Sequence, residues 1–206
     1  MADNNKTSRR DAILMALAQM FETSPGKRIT TAALAQQVGV SEAALYRHFP
    51  SKAKMYEALI DFVEDSLFSR INQILRDQAG ALVRCEQILA LVLTFAARNP
   101  GLCRLLTGEI LVGENERLRA RIAKIFERLE TELRQVLRGA EIHEGLVTRQ
   151  PVSSAANLLA AYVEGLIGQY VRSNFRQRPD QCWPDQWALL SGNLLHAQKY
   201  SPQIPE

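Results

Sequence analysis

Cysteine is scarce in this chain of 206 residues: there are three, Cys85, Cys103 and Cys182. Odd in number, far apart and without a CxxC pair, they suggest neither a disulfide framework nor a zinc site. Long apolar runs are missing as well, since the stretch Ile88 to Phe95 is too short and too soon interrupted to span a bilayer. The N-terminus is polar and charged with no cleavable signal pattern, so a cytoplasmic protein is expected and Asn5-Lys6-Thr7 is a chance match to a glycosylation sequon. There is no Gly-rich phosphate loop, nucleophile elbow or HExxH, and His48, His143 and His196 are scattered. An enzyme is therefore a poor fit, and no catalytic residue, metal or cofactor is expected. Alternating runs of β-branched residues are almost absent, which makes the fold class all-α.

What the chain does have is concentrated between Ile29 and Leu59, ITTAALAQQVGVSEAALYRHFPSKAKMYEAL. Thr30 or Thr31 caps a helix running to Val38, Gly39 supplies the left-handed residue that ends it, and Ser41 caps a second helix, Glu42 to Phe49. Pro50 stops that helix. Leu34, Ala35, Val38, Val40, Leu45 and Phe49 are the apolar positions and form the core of this unit, with Ala35 small where two helices cross. The opposite face of the second helix carries Ser41, Glu42, Ala43, Tyr46 and Arg47, mostly short or flat side chains that suit a major groove about 12 Å wide. Any αα-hairpin shares part of this pattern, so the flanks matter. Tyr46, His48 and Lys52 can each donate to a phosphate, although His48 has the alternative of a satisfied core position.

Charge is distributed the same way. Residues 1 to 55 hold eight Lys or Arg against four Asp or Glu, a balance of +4, while the remainder holds 17 against 18. Lys6, Arg9 and Arg10 precede the first amphipathic run, as phosphate contacts or as a solvated terminus.

Helices account for the rest. The first is expected from Ser8 to Thr23, buried through Ile13, Leu14, Leu17, Ala18 and Phe21, with Ser24-Pro25-Gly26 after it. A long helix from Ser51 to about Asp77 places Met55, Leu59, Phe62, Val63, Leu67, Ile71, Ile74 and Leu75 inside and joins head to body rigidly. Leu82 to Asn99 follows, ended by Pro100-Gly101, then a short helix through Thr107. Over Glu114 to Arg138, Leu118, Ile122, Ile125, Leu129, Leu133 and Val136 recur like a coiled-coil seam, but about three heptads suit packing inside a bundle better. Gly139 to Gln150 reads as a loop. Val152 to about Gln177 and Asp185 to about Gln198 close the chain. In the first of these, Leu158, Leu159, Tyr162, Val163, Leu166, Ile167, Tyr170 and Val171 make a broad apolar stripe, with Ala155, Ala161, Gly165 and Gly168 allowing close approach. The stripe is either a central core helix or half of a four-helix dimer interface whose wall Trp183, Trp187, Leu190 and Leu194 complete.

The order of one helix, a helix-turn-helix ending LYRHFPSK, a connecting helix and a helical body resembles the TetR family of dimeric DNA-binding proteins. Within it, the segments VSEAALYRHFPSKAKMYEALIDFVEDSLFSRIN, ARNPGLCRLLTGE and RIAKIFERLETELRQVLR are similar to the nucleoid occlusion members, across nearly the full length. The resemblance implies a helix-turn-helix head over residues 1–52 and a dimerisation and partner-binding body over 53–206. It implies a homodimer that binds palindromic chromosomal DNA and captures the division GTPase FtsZ, blocking septum assembly over the nucleoid. Positions matching Thr31, Ser41, Ala43, Tyr46, His48 and Lys52 face DNA in TetR-type heads, with Arg47 the less certain member.

For FtsZ the resemblance points to Phe62, Arg70, Leu91, Arg98 and Asn99, between the connecting helix and the next. Leu91, Thr94 and Arg98 stand at i, i+3 and i+7, an apolar stripe with an arginine at its rim that suits a short acidic-apolar peptide. Thr94 stands where the family pattern has glycine, and its larger side chain narrows such a groove. Phe62 and Leu91 have ordinary core packing as their other explanation. The competing function is a ligand-responsive transcriptional repressor, since most proteins with this head carry a small-molecule pocket in the body.

Overall fold

The computed structural model describes residues 8–24, 29–78, 80–114 and 116–197. Lys6, Pro25, Gly26 and Gln198, which the sequence reading used, lie outside them. The order is α1 (Arg9–Thr23), α2 (Thr31–Val38), α3 (Glu42–His48), α4 (Lys52–Asp77), α5 (Ala81–Arg98), α6 (Pro100–Leu106), a 3-10 turn (Glu109–Leu111), α7 (Glu116–Glu144), β1 (Leu146–Thr148), α8 (Val152–Arg172), α9 (Trp183–Ser191) and β2 (Leu195–Ala197). The fold is all-α in substance, with one antiparallel pair of three-residue strands that sequence reading did not foresee, pairing Leu146 with Ala197 and Thr148 with Leu195.

Side-chain caps start the early helices. Ser8 and Asp11 form a capping box on α1, and the Ser51 hydroxyl accepts from the Lys54 N–H to open α4. The head core is Ile13, Leu17 and Phe21 against Leu34, Ala35, Leu45 and Phe49, with Leu14, Ala18, Val38 and Val40 partly buried at its edge. From there α4 carries the chain into the body, where all six positions of the α7 seam are buried. Each such side chain contributes about 2 kcal/mol of burial, an upper value because the unfolded chain is already partly compact.

Several expected boundaries move. Helix α7 runs through Gly139 to Glu144 where a loop was expected. Ala140 is fully buried, and the Glu144 carboxylate accepts from the Ala81 N–H at 2.8 Å, capping α5, which has no side-chain cap of its own. Those contacts outweigh the roughly 1 kcal/mol that a helical glycine costs. Helix α8 ends at Arg172 rather than near Gln177, because Asn174 and Phe175 both take left-handed conformations, with φ of 52° and 63°. Phe175 thereby meets Tyr170 edge-on at 5.1 Å and lies under the Arg104 guanidinium, while the Asn174 side-chain oxygen Oδ1 accepts from Arg104 at 2.9 Å. Helix α9 starts at Trp183 and ends at Ser191.

Two side-chain assignments change too. Phe62 is half exposed rather than inside, since the buried stripe of α4 turns on Val63, and Tyr56, Ile60 and Phe68 are buried in addition. Trp183, Trp187 and Leu194 pack inward within the subunit, so they do not form an outer wall; Leu189 faces outward instead.

Head and body touch where α6 lies on α1. A Cβ added at Gly101 would sit 1.9 Å from the Ala18 carbonyl oxygen, a backbone atom that cannot swing aside. Gly101→Ala should therefore lower the unfolding free energy by about 3 kcal/mol, read as a lower urea midpoint. Gly139→Ala, whose nearest neighbour is the His143 ring at 3.9 Å, should gain roughly 1 kcal/mol of helix propensity in the same assay. Equal shifts at the two sites would refute the close approach.

Candidate nucleic-acid interface

The head is shaped by three local devices. Thr30 caps α2 by accepting from the Ala33 N–H, Gly39 at φ 70° turns the chain, and Ser41 caps α3 by accepting from the Ala44 N–H at 3.2 Å. The Val40 N–H closes the turn on the Ala35 carbonyl at 2.9 Å. With Leu45 and Phe49 buried beneath, Ser41, Glu42, Ala43, Tyr46, Arg47 and His48 are all exposed along α3 and its cap.

Thr31, Glu42 and Tyr46 are linked. The Tyr46 hydroxyl donates to Thr31 Oγ1 at 3.3 Å, and Thr31 Oγ1 donates to the Glu42 carboxylate at 2.7 Å. The chain of bonds ties the start of α2 to α3 and orients two of the expected DNA donors before any duplex arrives. Sequence reading placed Glu42 on this face but gave it no role; its signal was only the eleven-residue separation from Thr31, which no local rule interprets. Arg10 stacks on the Phe49 ring at 4.8 Å, and Arg9 donates to the Val38 carbonyl at 3.5 Å. Both therefore brace α1 against the helix-turn-helix.

Lys52 is placed differently from its neighbours. Its amine is 2.7 Å from Glu114 Oε1 and 5.2 Å from the Tyr56 ring centre, and the Lys52 and Glu114 side chains are only 21% and 18% exposed. Burial alone would pull the lysine pKa down, but the hydrogen bonds to Glu114 and Tyr56 and their charges carry it above the ordinary value. Glu114, 62 positions away, was not a candidate from sequence.

The residues expected to meet the protein partner lie along α4 and α5. Arg121 of α7 bonds Asp61 at 2.7 Å and Glu64 at 2.6 Å, and Arg128 covers the Phe68 ring at 3.9 Å. At 100° per residue, Phe62 and Arg70 then fall on the flank of α4 turned away from α7, both exposed. On α5, Leu91 and Thr94 are half-buried and Arg98 is exposed. The Asn99 amide donates to the Phe95 carbonyl at 2.8 Å, closing the end of α5.

Residues 13–59 match the bacterial regulatory proteins of the tetR family, and residues 79–195 match the SlmA-like type of tetracyclin repressor-like C-terminal domain. A nucleoid occlusion factor SlmA of Marinomonas sp. (strain MWYL1) is 58% identical over 93% of this chain and 98% of its own length. The chain belongs to the SlmA family of nucleoid occlusion factors. Another SlmA, of Shewanella amazonensis (strain ATCC BAA-1098 / SB2B), is 53% identical over 96% of this chain and all of its own. The fold beneath the SlmA family is shared more widely. The regulator FadR of Bacillus subtilis, solved with stearoyl-CoA, superimposes with a TM-score of 0.75 over 89% of this chain and 98% of its own at 16% identity. A TetR regulator of Haloarcula marismortui ATCC 43049 does so with 0.76 over 91% and 98%, also at 16%.

Among the described residues no three His, Cys, Asp or Glu side chains gather as a metal site, and no helix is long and apolar enough to cross a membrane. Burial pushes the Cys85 and Cys103 thiols up to about 12, the former aided by the Glu144 charge. At pH 8 both should resist iodoacetamide while the protein is folded and react once denatured, as counted by intact mass. Labelling of either in the native state would contradict its burial.

Proposed function

We propose that this chain acts in nucleoid occlusion: as a homodimer it grips palindromic chromosomal sites through heads of residues 1–52. Its bodies, residues 53–206, hold FtsZ, and Z-ring assembly over the nucleoid is antagonised. The observation that carries this reading is the exposed surface of α3, capped, braced from beneath and bearing Ser41, Ala43, Tyr46, Arg47 and His48, in a chain 58% identical to a nucleoid occlusion factor over almost its whole length. Neither step needs a catalytic group, and none is assigned.

The body supports the two remaining parts. Leu158, Ala161 and Gly165 stand at i, i+3 and i+7 on the outer side of α8, where Leu158 is 56% exposed and nothing lies within 4 Å of a Cβ at Gly165. Leu189 of α9, the next helix along the chain, is exposed as well, and these residues would give a partner subunit apolar purchase with room for close approach. For FtsZ, exposed Phe62 with Arg70 and Arg98 offers an apolar contact flanked by two cations, suited to an acidic-apolar peptide. The alternative, an effector-responsive repressor, has less behind it. The enclosed apolar hollow lined by Leu67, Phe68, Ile71, Val92, Leu129 and Ile167 holds only about 10 Å³, no more than one water, and the larger space beside it, about 420 Å³ lined by Thr107, Arg119, Ile122, Phe126 and Glu164, is open to solvent.

Capture of FtsZ with and without an inverted-repeat duplex tests the proposal. Arg98→Asp should abolish FtsZ capture while DNA affinity stays within about twofold; retained capture removes Arg98 from the groove. Leu158→Glu combined with Leu189→Glu should give monomers by sedimentation and lower affinity for a palindromic duplex by two orders of magnitude or more, since one head then binds where two did. A double variant that remains dimeric would move the interface elsewhere.

A further inference from the structure

Lys52 opens α4 and packs against Thr30, Thr31 and Leu34 at the start of α2. Its amine, four methylenes from the backbone, lies in a cleft of about 250 Å³ between head and body, lined by Phe21, Tyr56, Arg104, Glu109 and Glu114 among others, and is bonded there to Glu114.

We propose that Glu114 is an internal substitute for a DNA phosphate, an autoinhibitory contact that holds Lys52 in the head–body cleft until a duplex competes for it. The inference rests on Lys52 taking a phosphate and goes beyond that reading by naming what the phosphate must displace. Both partners are about four-fifths buried, so the pair is screened less than a surface ion pair, and the departure of Lys52 leaves Glu114 as a partly desolvated carboxylate. Part of the attraction of DNA for Lys52 is spent against that cost.

The segment that carries Glu114 is built to respond. It lies between the turn Glu109–Leu111 and α7, with left-handed glycines at 108 (φ 73°) and 113 (φ 78°), and Val112 is 77% exposed. Lys52 to Glu114 is thus a tie from the first turn of α4 to a segment with little burial of its own beyond Leu111. Arg104 with Glu109 is a second tie within the body and does not involve the head. When Lys52 leaves, the body segment loses its anchor on the head.

The test measures affinity for a mixed-sequence duplex of about 30 base pairs at low salt, because a phosphate contact is independent of sequence. Glu114→Gln keeps the shape and removes the charge; it should bind about three- to tenfold more tightly than the parent. Glu116→Gln makes the same change in net charge at a side chain 88% exposed and should alter affinity less than about twofold. Lys52→Met should weaken binding about tenfold, and adding Glu114→Gln to it should bring no more than Glu116→Gln does. In the parent, duplex should speed hydrogen exchange of the amides of residues 108 to 114. If Lys52→Met leaves affinity unchanged, Lys52 takes no phosphate and the inference falls with that reading. If Lys52→Met weakens binding but Glu114→Gln matches Glu116→Gln, or if exchange at residues 108 to 114 is unmoved by duplex, the DNA contact stands and the autoinhibitory contact is overturned.

Discussion

The pose of the head depends on one backbone-to-backbone approach, α6 lying on α1 where any side chain at Gly101 would strike the Ala18 carbonyl. The second attachment is α4, which leaves the head at Lys52 and continues unbroken into the body to Asp77, with Tyr56 meeting Phe21 edge-on at 5.5 Å. One attachment alone would leave a hinge. Two, at different points, fix the angle of α3 relative to the body helices. Reading a palindrome requires this, because two recognition helices must present themselves about one helical turn of DNA apart, and an uncertain head angle would spread that spacing.

The head is basic, but its cations divide into those that build it and those left on its surface. Arg9 and Arg10 are used against Val38 and Phe49, Lys54 is 2.6 Å from Glu57, and Lys52 is held by Glu114. Arg47 stands exposed on α3. A charge balance therefore describes the long-range field that steers a duplex toward this end of the molecule, not the number of phosphate contacts made on arrival. Glu42 sharpens the point: a carboxylate on the exposed face of α3 adds negative charge there, yet it orients Thr31 and, through it, Tyr46.

What was legible from sequence was what local physics decides. The cap at Ser41, the helix starts at Ser8 and Ser51, the left-handed Gly39 and the α7 seam follow from residue types at short separations, and each is where those types put it. The failures have a common cause as well. Gly139 is a stop signal locally, overruled by Glu144 reaching Ala81 across 63 positions. The end of α8 is set by Asn174 and Phe175 in conformations that favour glycine, and Arg104, 70 positions earlier, supplies the compensation. Phe62 and Val63 are adjacent apolar residues, and no local rule decides which of them is inside; packing in the folded body buries Val63 and leaves Phe62 half exposed. Among the expected DNA residues, Lys52 diverges for the same reason: its partner is remote in sequence.

One of these remote contacts is made from α6. It is seven residues long, and every residue from Gly101 to Leu106 is buried. Gly101 lies on the head; Arg104, 4% exposed, bonds Glu109 and Asn174 and stacks on Phe175 at the end of α8. A buried guanidinium with its Nε unpartnered is a poor way to gain stability, and a well-packed apolar residue of the same volume would serve that end as well or better. It is a good way to fix orientation, because a planar group with directional bonds to two separate segments tolerates far less rotation than an aliphatic contact does. The short helix thus couples the turn that ends α8 to the backbone of α1. If α8 is where two subunits meet, the geometry of that meeting is handed to the heads through α6, with no flexible connection between them.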